Sequence, residues 1–311
     1  MELYIEKEFL DNFFIEYKSS KVQEIVKNIF EDYGDKLVFM DVKIDNAQSL
    51  EQLKSENYFF AMMCSKDKVP TPIDSLEEHL FNKSNFNQTI IFTEKENDWN
   101  LEAEKKGAWC FSFDNYEFKI KELIDKLHVK VDLSIPFNNW SALDFSTIPF
   151  NSVQITDGYI LKDEKNIKEN LIPLIASFVN LEKEKITIDL LVKEIGFKMA
   201  TEEKKKEFAK KQHGKLNSKF SKLINLKIYL SNLISDIDLH DRTVVTNFSI
   251  LDSGVGFSIV NKKISNSQMI SSSIFEKYTY DRLRRLKPYH QKYINKLNSN
   301  SFQSLKFYKF P

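Results

Sequence analysis

The chain has 311 residues, 42% hydrophobic and 29% charged, with 45 basic and 45 acidic side chains and a formal net charge of zero. This composition excludes wholesale disorder. The charge balance excludes a general pull towards nucleic acid or anionic membrane, so binding to either must come from a local patch.

The length suits two domains better than one core, and seven Gly and seven Pro argue against a loop-rich or repeat architecture. Residues 3–5 (LYI) predict a short buried strand, and Phe9, Leu10, Phe13, Phe14 and Tyr17 recur at the spacing of a helix. Val22, Ile25, Val26, Ile29 and Phe30 form the stripe of a second helix that Gly34 closes. Strand 37–43, a helix near 47–55 and a strand over YFFAMMC (58–64) follow. Pro70 and Pro72 mark a loop, and Asp74 is placed to cap the next helix. Strand 87–93, helix 94–107, strand 108–113 and a helix near 116–128 complete an alternation that predicts a parallel, Rossmann-like α/β domain over roughly 1–130.

Residues 129–150 carry two Pro and no helical period, so the domain boundary is expected there. In the second domain, 131–311, SVQITDGYILKD reads as strand, turn and strand, and a helix near 165–180 contains Pro173 or starts beside it. A Lys/Glu-rich helix over 198–223 presents a solvated face. Strands are predicted at 225–233 and 241–251, with GVGFSIV (254–260) continuing the sheet. The tail, 275–311, is mixed.

Cys64 and Cys110 sit in apolar runs and read as buried thiols on strands, not as a disulfide framework. MELYIEKEFLD lacks the pattern of a signal peptide, and no apolar run approaches the ~20 residues of a spanning helix. A cytoplasmic protein with no membrane partner is the expectation. His79, His128, His213 and His290 lack zinc-ligand spacing, and there is no Walker A loop, G-x-G-x-x-G or G-x-S-x-G.

The most specific signal is LHDRTVVTNFSILDSGVGF. His240, Arg242, Asn247 and Gly254 stand at the spacing of the phospholipase D (HKD) motif, with Arg in place of Lys and Asn in place of Asp. The C-terminal half thus resembles a degraded phospholipase D-like α/β domain. Catalysis in that superfamily needs two half-sites, and no second His-x-Lys is present; the earlier strand offers Asp157 but no His. Asn247 cannot supply a carboxylate, whereas Arg242 remains a bidentate phosphate ligand. The resemblance therefore implies phosphate binding at His240, Arg242 and Asn247 more than hydrolysis. A homodimer would pair two copies of His240. A structural network at a strand start is the competing reading.

The N-terminal half loosely resembles a PIN-like domain. Such ribonucleases hold Mg²⁺ or Mn²⁺ on carboxylates at strand ends and helix starts, which activates water for phosphodiester cleavage. Glu6 follows the first strand, Glu96 or Asp98 opens a late helix, and AEKKGAWCFSFDNYEF places Asp114 before an aromatic residue. Asp41 or Asp45 would be the fourth acid. The resemblance implies catalytic Glu6, Asp41, Glu96 and Asp114, with metal on Glu6 and Asp114. The strand-ending Asp41 also resembles a receiver-like domain, which lacks the further residues that resemblance requires.

A third feature is YTYDRLRRLKPYHQKY (278–293), where Arg282, Arg284 and Arg285 interleave with Tyr. Guanidinium groups bind phosphates while aromatic faces stack on unpaired bases. On a helix, Arg282 and Arg285 share a face. The alternative is a basic amphipathic helix packed on the core. The expectation is a nucleic-acid-handling protein, in a prokaryotic defence or mobile-element setting suggested by likeness to bacterial proteins with the HDR…TN…G-x-GF pattern. The rival expectation is a non-catalytic interaction module with decayed sites.

Overall fold

The alternating strands and helices of the first half build an all-parallel sheet. The computed structural model describes residues 1–33, 37–81, 83–84, 86–143, 145–192, 199, 201–230 and 242–298, and the side chains of all of these except 202, 206, 230 and 289–298. The chain divides into two compact units after Ile124.

In the first unit, β1 (Glu2–Ile5), β2 (Val38–Met40), β3 (Thr71–Pro72), β4 (Thr89–Thr93) and β5 (Trp109–Ser112) run parallel in the order β3-β2-β1-β4-β5. Every residue of β4 is buried, as a strand covered on both faces requires. Helices α1 (Lys7–Ile15) and α2 (Lys21–Asp32) follow β1. A capping box fixes the start of α2, with Ser20 accepting from Gln23 and the Gln23 side chain returning to Ser20. Rings of Phe9, Phe13, Phe30, Phe59 and Phe92, all fully buried, meet in one aromatic core.

After α3 (Ala47–Glu56), the segment expected as strand 58–64 is instead the helix α4 (Tyr58–Ser65). Its start is set by Asn57, whose side-chain Oδ1 accepts the N–H groups of Phe59 and Phe60 while its Nδ2 donates to Leu10 O. A continuous apolar run has no period with which to separate strand from buried helix. Cys64 therefore lies on a helix, whereas Cys110 is buried on β5 as expected. Helices α5 (Leu76–Phe81), α6 (Asp98–Lys105) and α7 (Tyr116–Leu127) complete the sequence of elements up to the second sheet.

The second unit carries β6 (Lys130–Asp132), β7 (Ser152–Thr156), β8 (Ile186–Val192), β9 (Ile224–Leu230), β10 (Thr243–Thr246), β11 (Ser249–Ser253) and β12 (Gln268–Ser273) in one sheet, ordered β6-β12-β11-β10-β7-β8-β9. β7, β8 and β9 are parallel; β10, β11, β12 and β6 join antiparallel. The carboxyl end of β7 thus lies beside the start of β10, with Thr156 opposite Thr243.

Three local readings change here. Only 152–156 of SVQITDGYILKD is a strand, because Ile160 and Leu161 are buried in a turn instead. The expected strand 241–251 is the hairpin β10–β11, turning at Asn247–Phe248. β11 ends at Ser253, so GVGFSIV does not continue it, and Gly256 takes a φ of 85° that only glycine adopts freely. The helix near 165–180 is α8 (Glu164–Asn166), one wide π turn (Ile167–Leu171) and α9 (Ile172–Ala176). The wide turn lies where Pro173 would otherwise clash with the carbonyl four residues back. Helix α10 (Glu202–Phe220) lies next to β9, and α11 (Lys277–Asn298) closes the described chain.

Candidate functional site

Beyond the carboxyl end of β7 the chain turns sharply, and Asp157 makes the turn. Its Oδ1 accepts the Tyr159 N–H at 2.8 Å and its Oδ2 accepts the Phe257 N–H at 2.7 Å. One buried carboxylate therefore ties two loops, 157–163 and 254–264. A second tie comes from the π turn, where buried Asn170 accepts the N–H groups of Ile259 at 2.8 Å and Val260 at 2.9 Å. Asn170 in turn donates to Asn166, and Asn166 donates to Ile160 O. The polar groups that a loop would leave bare are satisfied by side chains.

Between these loops lies a cavity of about 960 Å³, lined by both loops, by Phe208 and Lys211 of α10, and by Arg242. That is the size of a small-molecule site. Its apolar wall includes Tyr159, Phe208, Val255 and Ile264; its cations are Lys162, Lys165, Lys211, Arg242 and Lys262. Arg242 is aimed by its own backbone neighbours. Nη1 donates to Gly254 O at 2.8 Å, and the side chain packs over Gly256, where a Cβ would lie 3.1 Å from Arg242 Cδ.

The acids on the wall are already engaged. Asp157 serves the two amides, Asp163 caps α8 through Asn166 N at 2.7 Å, and Glu164 meets Lys211 and Lys215 at 3.2 Å each. Contacts with Lys215, Lys211 and Gln212 hold the Glu164 carboxyl down at about 2. Lys162, Lys165, Arg242 and Lys262 make no ion pair with a described residue. Burial, and after it the charge of Lys162, push the Lys262 ammonium below its ordinary value. The hydroxyl of Ser258, on the same wall, is covered and makes no hydrogen bond.

Of the residues singled out in the sequence, Arg242 lines this cavity and His240 lies outside the described residues. Asn247 does not share the cavity. The four residues of extended β10 lie between it and Arg242, a span of about 16 Å. There it is buried, accepting from Asn151 N at 3.1 Å and Ser152 N at 3.0 Å and donating to Asn151 Oδ1 at 2.9 Å. Arg282 forms a two-pronged pair with Asp252 of β11, with Nη2 2.7 Å from Oδ1. Arg284 stands 5.8 Å from the Tyr280 ring centre, and Arg284 and Arg285 are exposed. Lys211 of the Lys-rich helix is exposed, as expected, and also lines the cavity. Lys162, Lys262, Tyr159 and Asn170 were not foreseen. The turn pair Asp157–Gly158 and the Gly254-x-Gly256 spacing were the available signals.

In the first unit, Glu6 follows β1, Asp41 follows β2 and Glu94 follows β4, at the carboxyl edge where the strand order reverses about β1. Glu6 Oε2 accepts Glu94 N–H at 2.5 Å, and Asp41 Oδ1 accepts Lys7 N–H at 2.6 Å at the start of α1. Burial raises both carboxyls above their ordinary values, with the charges of Asp41, Glu8 and Glu94 adding to the rise at Glu6. Glu8, which shares a hydrogen bond with Glu94, was not anticipated. Glu96 instead pairs with Lys119 at 3.2 Å and Asn115, and Asp114 lies in the turn before α7. Among the described residues no three Asp, Glu, His or Cys side chains are grouped to hold a metal ion. Glu6 and Asp41 each give one carboxylate oxygen to a main-chain amide.

A Ser–His–acid trio also occurs in the second unit. His128 Nε2 is 2.8 Å from Ser273 Oγ, and Nδ1 is 3.4 Å from Glu276. Ser273 is wholly buried at the end of β12, so it fastens the strand and offers no nucleophile. Among the described residues, no helix is long and apolar enough to cross a membrane. No protein-family model matches the chain, and no curated protein matches it.

Proposed function

We propose that this chain binds phosphodiester-bearing nucleic acid through the cationic cavity of its second unit, and that this site binds without cleaving. The observation that carries the reading is the guanidinium of Arg242, held by Gly254 O beside Lys162 and Lys262 on a wall whose acids are engaged elsewhere. A guanidinium with donors to spare is the natural ligand of a phosphate oxygen, and lysines add salt-sensitive attraction. The Tyr159 ring, 41% exposed on the cavity lining, supplies a face for an unpaired base. Cleavage in the phospholipase D manner would need the acid of that motif. The residue at that motif position, Asn247, is instead a buried tie at the other end of β10.

Fluorescence anisotropy with a labelled single-stranded RNA tests this reading. Affinity should fall steeply between 50 and 200 mM salt, by roughly tenfold or more if two or three phosphates are contacted. Arg242→Ala should weaken binding by about tenfold or more, at roughly 1.4 kcal/mol per tenfold. Binding that ignores both salt and Arg242→Ala would remove the proposal.

A further inference from the structure

Resting on that reading, we infer that the cavity selects the terminal phosphate of a strand or nucleotide, a phosphomonoester dianion, over an internal phosphodiester. Two observations point there. The first is a half-open hollow lined from several sides. The lining comes from the 157–165 turn, from α10, from Arg242 and from the 255–264 loop, and its volume of about 960 Å³ suits one nucleotide. An internal phosphate must leave room for chain on both sides, whereas a strand end enters such a hollow alone.

The second observation is charge. Lys162, Lys165, Arg242 and Lys262 line one cavity without an ion pair to a described residue, and Asp157, Asp163 and Glu164 each accept from other groups. Burial, and after it the charge of Lys162, push the Lys262 ammonium below its ordinary value, so an added anion there is favoured. An internal diester brings one negative charge to this group. A terminal monoester brings about 1.5 to 2 at neutral pH, with three acceptor oxygens in place of two. It answers more of the unpaired donors, and the apolar wall of Tyr159, Val255 and Ile264 receives the attached nucleoside.

The test uses the full chain and competition among three single-stranded RNAs of one sequence, carrying a 5′-phosphate, a 3′-phosphate or hydroxyls at both ends, with AMP as a fourth competitor. One phosphorylated strand should compete at least tenfold better than the hydroxyl strand, and AMP should compete in the same Arg242-dependent way. Lys262→Ala, on an exposed loop, and Lys162→Gln should reduce that advantage severalfold while thermal unfolding stays unchanged. If all three strands compete equally and still depend on Arg242, terminal recognition is wrong and phosphodiester binding stands. If no strand binds in an Arg242-dependent way, both readings fall.

Discussion

Asp157 and Gly256 are fitted so closely that a Cβ on Gly256 would lie 2.8 Å from Asp157 Oδ2. The same Cβ would press on Arg242, and φ there is 85°. Gly256→Ala therefore meets a backbone penalty of roughly 1–2 kcal/mol. Beyond that, it forces apart the carboxylate that ties the two loops and the guanidinium that faces the cavity. The variant should unfold at lower temperature and lose RNA affinity at least as severely as Arg242→Ala. An unchanged melting curve with full affinity would show that the close approach is unimportant.

Asn170 has a different task at the same wall. Its single side-chain oxygen accepts two main-chain amides, those of Ile259 and Val260. Asn170→Ala leaves both donors without that acceptor, at a cost of about 1–3 kcal/mol. Hydrogen exchange should locate the damage, with the Ile259 and Val260 amides exchanging much faster while β7 and β8 keep their protection. Uniformly faster exchange through the whole unit would mean that Asn170 supports the core at large.

Asn247 holds the turn between β10 and β11 to Asn151 and Ser152. Asn247→Asp would restore the acid of the phospholipase D motif, yet it removes the amide that donates to Asn151 Oδ1. Two oxygens would then face each other in a buried site. The variant should lose about 1–3 kcal/mol of stability and gain no phosphodiesterase activity on a chromogenic diester. Hydrolysis appearing in the variant would show that the motif still describes a catalytic arrangement.

The case of Asn247 shows what could be read from residues alone. Motif spacing along an extended strand does not say that two positions share a site, because the four residues of β10 carry the chain from one end of the strand to the other. Periodicity served well where elements are amphipathic, as for α1, α2 and the alternation that builds the parallel sheet. It failed at YFFAMMC, which is apolar all round and whose helical start depends on Asn57 reaching Leu10. The cavity was illegible for a related reason. Its cations come from residues 162, 165, 211, 242 and 262, brought together by ties from Asp157 and Asn170 that leave no pattern in a lysine-rich chain.

Glu6 offers a pH test in the first unit. Burial raises its carboxyl above the ordinary glutamate value, so the folded state holds the proton more tightly than the unfolded chain does. The contribution of Glu6 to stability therefore falls as pH rises from the ordinary value through the raised one, and is flat above it. Glu6→Gln keeps an oxygen for the Glu94 N–H and removes the charge. It should match or exceed the parent in urea unfolding at pH 7, with the difference closing as pH drops below the ordinary glutamate value. A variant weaker at pH 7 by a margin that persists in acid would mean that the charge itself stabilises the unit.

Arg282 separates docking from recognition on α11. Its guanidinium grips the Asp252 carboxylate on β11 with two nitrogens, half-buried, beside Tyr280 and Leu283, which are fully buried. A fork-shaped donor is needed for that grip, and Lys offers only a point charge. Arg282→Lys should therefore lower stability by roughly 1 kcal/mol, and Asp252→Asn should do the same. Their double variant should cost little more than either alone, because both remove one interaction. Arg285→Ala, on the exposed side of the same helix, should change stability by less than about 0.5 kcal/mol. Measured together by thermal unfolding and RNA anisotropy, these variants assign the role: if Arg282→Lys leaves unfolding untouched but weakens RNA binding, Arg282 reads phosphate and does not anchor the helix.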